Sequence, residues 1–185
     1  MFGRRHFEST RRVFAPPGGG APPPVTSRHV PQRLSAQELI AEAFSVFGDV
    51  GRPAHFTNHE HCEECREHDD TLLAHDPASI TRQALGTMGW DPITFTTDEG
   101  FRYYLPGLIR VVLTETGNES YIEQFLWHMT GSGDYQRVRC FSKDEKSVVA
   151  SVLHFLLEHR TAELQQECLD DEILAAIETW TRDDA

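Results

Sequence analysis

Residues 142–157 read Ser-Lys-Asp-Glu-Lys-Ser-Val-Val-Ala-Ser-Val-Leu-His-Phe-Leu-Leu, and this stretch decides the fold. Ser142 with Glu145 three residues later forms a capping box, in which each side chain accepts a hydrogen bond from the other residue's backbone amide. The apolar residues that follow nearly cover the helix: they are Val148, Val149, Val152, Leu153, Phe155, Leu156 and Leu157. So wide an apolar surface predicts a central helix packed on several sides.

The rest of the chain adds further helical patterns. Ser35 and Glu38 form a second capping box before another run of helical apolar spacing. Pro106 suits a helix start, so the pattern there predicts one short turn followed by a helix. The predicted helices cover 35–47, 63–74, 76–88, 106–115, 121–129, 142–157 and 169–180. Residues 135–141 indicate a short strand or a loop. We predict a compact all-α bundle of about six to seven helices with at most one short hairpin.

The N-terminal segment has a different composition from this bundle. Residues 1–34 are rich in Arg, Pro and Gly and lack apolar periodicity, which predicts a disordered tail. Residues 35–182 form the predicted single helical domain.

The net charge of −12 is unevenly distributed. Residues 1–34 carry six arginines and one glutamate, so the remainder carries −17. Because phosphate repels an acidic surface, we expect no nucleic-acid partner, and we predict a protein partner with a basic surface. No apolar run approaches the roughly 20 residues of a membrane span, and no secretory h-region is present, which predicts a cytoplasmic protein.

A dense group of metal-ligand residues lies at 59–68, which read His-Glu-His-Cys-Glu-Glu-Cys-Arg-Glu-His. A C-x-x-C pair can direct two thiolates at one ion, and imidazoles a turn away can complete a tetrahedral zinc shell. The predicted zinc ligands are Cys62, Cys65, His59 and His68. His61 adjoins Cys62 and is expected to point elsewhere. Three further residues remain reserve ligands: His55, His75 and Cys140.

Other interpretations of the same residues stay open. The thiols can be unligated, or Cys62 can act as the attacking thiolate of a redox pair with Cys65 as the resolving thiol. If zinc is bound, Glu60, Glu63 or Glu64 can serve as a general base, which makes a small metal-dependent hydrolase the enzymatic alternative. H-E-x-x-H is absent, and ligands within one loop are typical of a closed structural site.

The block Glu99-Gly100-Phe101-Arg102-Tyr103-Tyr104-Leu105-Pro106 resembles the hallmark of an uncharacterised bacterial family, known only as a domain of unknown function. Phe141 to Glu145, Trp180 and an upstream cysteine pair like Cys62 and Cys65 match further features of that family. The resemblance spans roughly residues 36–182 and implies a compact bacterial cytosolic domain without implying an activity. The metal motif predicts a zinc-stabilised interaction domain, and the acidic charge alone suits an adaptor or immunity-like role; the alternative is a small metal-dependent hydrolase or thiol-redox enzyme.

Overall fold

A computed structural model describes residues 34–130 and 136–182 of the chain. The prediction of a disordered tail lies almost wholly outside these residues. Within them, the chain forms six α-helices of nine or more residues, two shorter α-helices and three 3₁₀ turns. The α-helices are α1 Ala36–Val46, α2 Glu63–Leu73, α3 Asp98–Thr114, α4 Ile122–Thr130, α5 Gln136–Arg139, α6 Lys143–His159, α7 Thr161–Gln166 and α8 Asp170–Thr181. The all-α prediction is confirmed.

The described residues contain no β-strand. Their only strand-like pairing is an isolated antiparallel bridge between Thr57 and Thr96. Where the sequence indicated a short strand or a loop, residues Gln136–Arg139 form the short helix α5 instead. None of the helices in the described ranges is long and apolar enough to cross a membrane.

Both predicted capping boxes are present. The Ser35 and Ser142 hydroxyls accept from the amides of Glu38 and Glu145, and each glutamate accepts from the amide of its serine. Glu145 is almost fully buried and also accepts from Arg102 Nε at 2.8 Å. The cap of α6 therefore also joins that helix to α3.

Helix α6 occupies the central position that its apolar surface predicted, since it packs against α1, α3, α7 and α8. Helix α3 is buried over a still larger part of its length, from Gly100 to Leu113. Helix α4 packs against α8, and the indole of Trp180 donates to the Met129 carbonyl at 3.0 Å. The core is thus continuous from α1 to α8.

The prediction that a helix starts at Pro106 was wrong. Helix α3 begins at Asp98, eight residues earlier, with Thr97 as its N-cap, and Pro106 lies inside it. Proline removes one backbone donor and disfavours helix at the preceding residue. Complete burial of Phe101, Tyr104 and Leu105 along the first half of α3 outweighs that local preference.

The helix predicted at 76–88 is also absent; this segment consists of turns. Asp76 does accept hydrogen bonds from the amides of Ala78 and Ser79, as an N-cap would. Beyond that turn, the side chains of Arg110 and Arg82 bind the carbonyls of Ile80 and Gly86. Arg110 therefore satisfies the Ile80 carbonyl, which the predicted helix would have paired internally, and Arg82 satisfies the Gly86 carbonyl.

The segment before α2 packs against the start of α3 through close contact between the two backbones. Phe56 is fully buried, and its carbonyl accepts from the Thr97 amide at 2.8 Å. A Cβ at Gly100 would lie 2.7 Å from that same carbonyl oxygen, so only glycine allows this contact without a shift. Tyr104 donates to the carbonyls of Leu72 and His75, which fixes the other end of α2.

Candidate metal centre

The two cysteines occupy the first turn of α2. Cys62 is the N-cap of that helix, and its Sγ accepts from the Cys65 amide at 3.4 Å. C-x-x-C spacing places the second thiol at the third helical position, which is the position that faces an N-cap side chain. The two sulfur atoms are consequently 3.2 Å apart as thiols.

The two thiols differ in acidity. The Cys65 amide, with the Cys65 thiol and His61 beside it, lowers the pKa of Cys62. The hydrogen bond to Cys62, with burial and the charge of Glu64, raises the pKa of Cys65. Cys62 is therefore the thiol that becomes a thiolate first, and a thiolate is the form that binds metal or attacks a disulfide.

His61 is the third member of this group. Its Nδ1 lies 3.8 Å from Cys65 Sγ, and single ligand atoms of His61, Cys62 and Cys65 all lie within 4.8 Å of one another. A turn in which the His61 amide donates to the Asn58 carbonyl brings the imidazole back over the thiols. Two thiolates and one imidazole are a donor set that suits zinc. We call these three residues the thiol group.

A second cluster lies next to the thiol group in the sequence and consists of His55, His59 and Asp69. Their ligand atoms also lie within 4.8 Å of one another. The imidazoles of His55 and His59 are stacked with centroids 3.6 Å apart, and His55 Nδ1 lies 2.7 Å from Asp69 Oδ2. We call these residues the imidazole–carboxylate group.

Asp69 is almost fully buried and holds the backbone before α2. Its Oδ1 accepts from the amides of Phe56 and Thr57 at 2.6 and 3.0 Å. Burial acts to raise the pKa of Asp69, but the hydrogen bonds from His55, Thr57 and Phe56 outweigh it, so the pKa is lowered overall. Asp69 is therefore a carboxylate at neutral pH.

His68 has a different environment from the other histidines of the motif. It is 1% exposed, and its ring stacks on Phe95 and contacts Trp90, at centroid distances of 4.2 and 4.7 Å. Its Nε2 is buried without a hydrogen-bond partner. Desolvation lowers the pKa of His68 despite nearby acidic groups, so the ring is neutral.

The structure thus divides the four predicted ligands. Cys62 and Cys65 come together, His59 belongs to the imidazole–carboxylate group, and His68 belongs to neither group. His61 was not among the predicted ligands because a residue that adjoins Cys62 was expected to point elsewhere. In the structure, His61 precedes the N-cap Cys62, and its Nδ1 lies 3.8 Å from Cys65 Sγ.

The remaining candidates lie elsewhere. His75 and Cys140 belong to neither group, nor do the proposed bases Glu60, Glu63 and Glu64. Asp69 was not among the predicted ligands, and His55 was predicted only as a reserve ligand. Their close approach depends on the loop that folds back from Phe56, which helical spacing does not reveal.

Acidic side chains line two surface cavities that include no residue of the thiol group. One, of about 470 Å³, is lined by Asp49, Asp98, Glu99 and Glu145 with Arg102. The other, of about 530 Å³, has Glu123, Glu163 and Glu167 in its lining. Both therefore favour positively charged groups over negatively charged ones.

Comparison with family models, with curated proteins and with solved structures finds no match to this chain. The resemblance of residues 99–106 to a bacterial family therefore stays a prediction.

Proposed function

We propose that this chain is a zinc-binding helical domain in which His61, Cys62 and Cys65 hold the ion. The observation that carries the proposal is the convergence of two thiols and one imidazole within 4.8 Å at the start of α2. The lowered pKa of Cys62 supports it, because zinc binds the thiolate. Three protein donors leave one tetrahedral position, and a donor from a partner would close the shell as a structural site requires.

The role that we propose for this zinc is structural. The ion would join the loop that contains His61 to the first turn of α2, and no carboxylate of the described residues belongs to the thiol group as a base. The energy of binding such an ion contributes to folding, since the site does not exist in the unfolded chain. Zinc binding should therefore stabilise the 55–69 segment.

Elemental analysis of tag-free, full-length protein purified without chelator tests this function. We expect Cys62→Ser and Cys65→Ser each to lose about one zinc per chain, with a lower melting temperature. Cys168→Ser is the matched control, because Cys168 is exposed and lies outside both groups. Parent protein without thiol-dependent zinc would refute the proposal, whereas zinc lost without a change in melting would refute the structural role.

We further propose that the domain acts in the cytosol by binding a protein partner with a basic surface. The net charge of −12 and the acidic lining of both cavities support this choice. Binding of an oligolysine peptide, measured by fluorescence anisotropy, should be detectable and should weaken with added salt. An oligoglutamate peptide of equal length is the control. Equal binding of the two peptides would contradict the proposal.

Thiol–disulfide exchange is the second candidate, and the geometry of Cys62 favours it. Cys62 is a partly exposed N-cap thiol of lowered pKa, and its Sγ lies 3.2 Å from a second sulfur. This arrangement suits attack on a disulfide. The Cys62 thiolate would attack one sulfur of the substrate and release the other as a thiolate. Deprotonated Cys65 would then attack Cys62 Sγ, which releases the second thiol. The substrate is reduced to two thiols, and the cysteine pair is oxidised to a disulfide.

The two candidates make opposite predictions for metal-loaded protein. In the redox candidate, Cys65→Ser should accumulate a mixed disulfide with oxidised glutathione, detected by mass spectrometry, and Cys62→Ser should not. If zinc occupies the thiols, loading the parent protein with zinc should suppress the oxidation of Cys62 and Cys65 by oxidised glutathione. Absence of an adduct in metal-free Cys65→Ser protein would exclude the redox candidate.

A further inference from the structure

The imidazole–carboxylate group shares no residue with the thiol group and needs its own explanation. We propose that His55, His59 and Asp69 form a second metal site, which takes a divalent ion of intermediate hardness such as Zn²⁺ or Co²⁺. This proposal goes beyond the zinc function of the cysteines.

Asp69 provides a carboxylate whose position is fixed before any ion arrives. It is 1% exposed, and backbone amides of Phe56 and Thr57 bind its Oδ1. Its Oδ2 therefore faces His55, at 2.7 Å from Nδ1. A buried carboxylate in this position favours a cation beside it.

The two histidines are held over that carboxylate by the fold. Thr57 lies between them in the sequence, and its hydroxyl donates to the Cys65 carbonyl of α2 at 2.7 Å. Thr57 also forms the bridge to Thr96, so the backbone between the histidines is fixed on two sides. The rings stack at an interplanar angle of 16°, and one nitrogen of each lies within 4.8 Å of the other and of a carboxylate oxygen of Asp69.

The donor set selects the class of ion. Two imidazoles and one carboxylate suit zinc, iron, cobalt and nickel better than Ca²⁺ or Mg²⁺, which prefer oxygen ligands. The absence of sulfur makes this site harder than the thiol group. The side chain of His55 is 45% exposed, so solvent can complete the coordination shell and the ion can enter directly.

The alternative is a hydrogen bond between His55 and Asp69 with no ion. In that case the stacked His59 would be incidental. A metal titration that reports the two sites separately distinguishes these cases.

Cobalt is a suitable probe because thiolate ligands give Co²⁺ an intense charge-transfer absorption, whereas nitrogen and oxygen ligands give only weak visible bands. Tag-free, full-length protein is titrated with Co²⁺ while equilibrium dialysis counts bound ions. We expect two equivalents in the parent protein, of which one carries the charge-transfer band. Circular dichroism checks that each variant is folded.

The variants show which group of residues binds each equivalent of Co²⁺. His55→Ala with His59→Ala should lose the equivalent without the band and retain the one with it, and Asp69→Asn should weaken that same equivalent at least tenfold. The double variant Cys62→Ser with Cys65→Ser should lose the equivalent with the charge-transfer band and retain the one without it. His154→Ala is the matched control, since this exposed histidine of α6 belongs to neither group.

Two outcomes would overturn the second site. One is a parent protein that binds a single equivalent with the charge-transfer band. The other is a double histidine variant that still binds both equivalents. A parent that binds one equivalent without the band, lost on histidine substitution, would support the second site and refute the zinc function of the cysteines.

Discussion

At the scale of the residue, burial separates His68 from the partly buried His59 and the exposed His61. The ring of His68 is 1% exposed between Phe95 and Trp90, and Nε2 has no partner. A buried unsatisfied donor or acceptor costs about 1–3 kcal/mol. His68→Phe removes that atom and keeps an aromatic ring, so we expect the free energy of unfolding to rise by about 1 kcal/mol.

The same variant tests His68 as a zinc ligand. Urea denaturation measures its stability, and elemental analysis measures its metal content, with exposed His154→Phe as the control. We expect zinc content to be unchanged. A loss of zinc would restore His68 to the ligand set predicted from sequence.

Tyr104 gives the protein a dependence on alkaline pH. Burial raises the pKa of this tyrosine, whose hydroxyl donates to the Leu72 and His75 carbonyls. A raised pKa means that the folded state retains the proton more tightly. The stabilisation is therefore complete below the unfolded pKa of about 10 and is lost as the pH rises above it.

We expect Tyr104→Phe to lower the free energy of unfolding by about 1–2 kcal/mol near pH 8. Between about pH 8 and 10.5, this variant should lose less of its free energy of unfolding than the parent protein does. Urea denaturation at both pH values provides the comparison. Tyr103→Phe removes a neighbouring, half-buried hydroxyl and serves as control. Burial also raises the pKa of Tyr121, so some alkaline loss should remain. If Tyr104→Phe and the parent protein lost the same free energy of unfolding over this pH range, the alkaline dependence would not come from Tyr104.

At the scale of the element, the docking of α3 depends on close backbone contact. A Cβ at Gly107 would lie 2.6 Å from the Pro77 carbonyl oxygen and 2.9 Å from a methyl group of Ile80. Gly107→Ala must therefore push the 77–80 turns away from α3. We expect a loss of about 1–3 kcal/mol in thermal or urea unfolding, although alanine is the better helix former.

Gly51→Ala is the matched control, because a Cβ at that position has no atom within 4 Å. Its stability should match the parent within about 0.5 kcal/mol. If Gly107→Ala is equally neutral, the contact between α3 and the turns is looser than the structure shows.

The elements also show what sequence reasoning can and cannot predict. Capping boxes at Ser35 and Ser142 and the apolar periodicity of α1, α2, α4, α6 and α8 are local signals, and they predicted those helices correctly. Helix α3 and the 76–88 turns were mispredicted because burial and arginine–carbonyl contacts outweighed the local signals of Pro106 and Asp76. Those partners are distant in sequence.

The candidate site shows the same contrast between local contacts, which the sequence predicts, and contacts distant in sequence, which it does not. Cys62 and Cys65 are three residues apart, so their approach is local and was predicted. The meeting of His55 with Asp69 spans 14 residues and depends on Phe56 docking against α3. The buried Asp91 network is similar: this carboxylate accepts from Tyr121 and Gln124 and contacts His128, at a separation of at least 30 residues. No spacing rule predicts such contacts.

At the scale of the whole molecule, two electrostatic effects oppose each other. The chain carries −12 overall, and like charges on a compact body repel. Against this, Arg102–Glu145, Arg137–Asp98 and Arg160–Glu163 form ion pairs, and two of these pairs include a partly exposed arginine. Arg137–Asp98 is partly exposed on both sides and contributes about 0–1 kcal/mol. Desolvation of the buried Glu145 offsets its attraction to Arg102, so we expect the net repulsion to be the larger effect.

Added salt screens both effects, and the sign of its influence shows which one dominates. Since the Debye length is about 10 Å at 0.1 M salt, raising NaCl from about 0.02 to 0.3 M should increase the melting temperature. The variant with Glu42→Lys and Asp70→Lys replaces two negative charges by two positive charges at exposed helix positions, so its melting temperature should rise less with salt. Parallel measurements in excess zinc keep the metal contribution constant. A melting temperature that falls with salt would mean that the ion pairs outweigh the repulsion, and would weaken the charge argument for a basic partner.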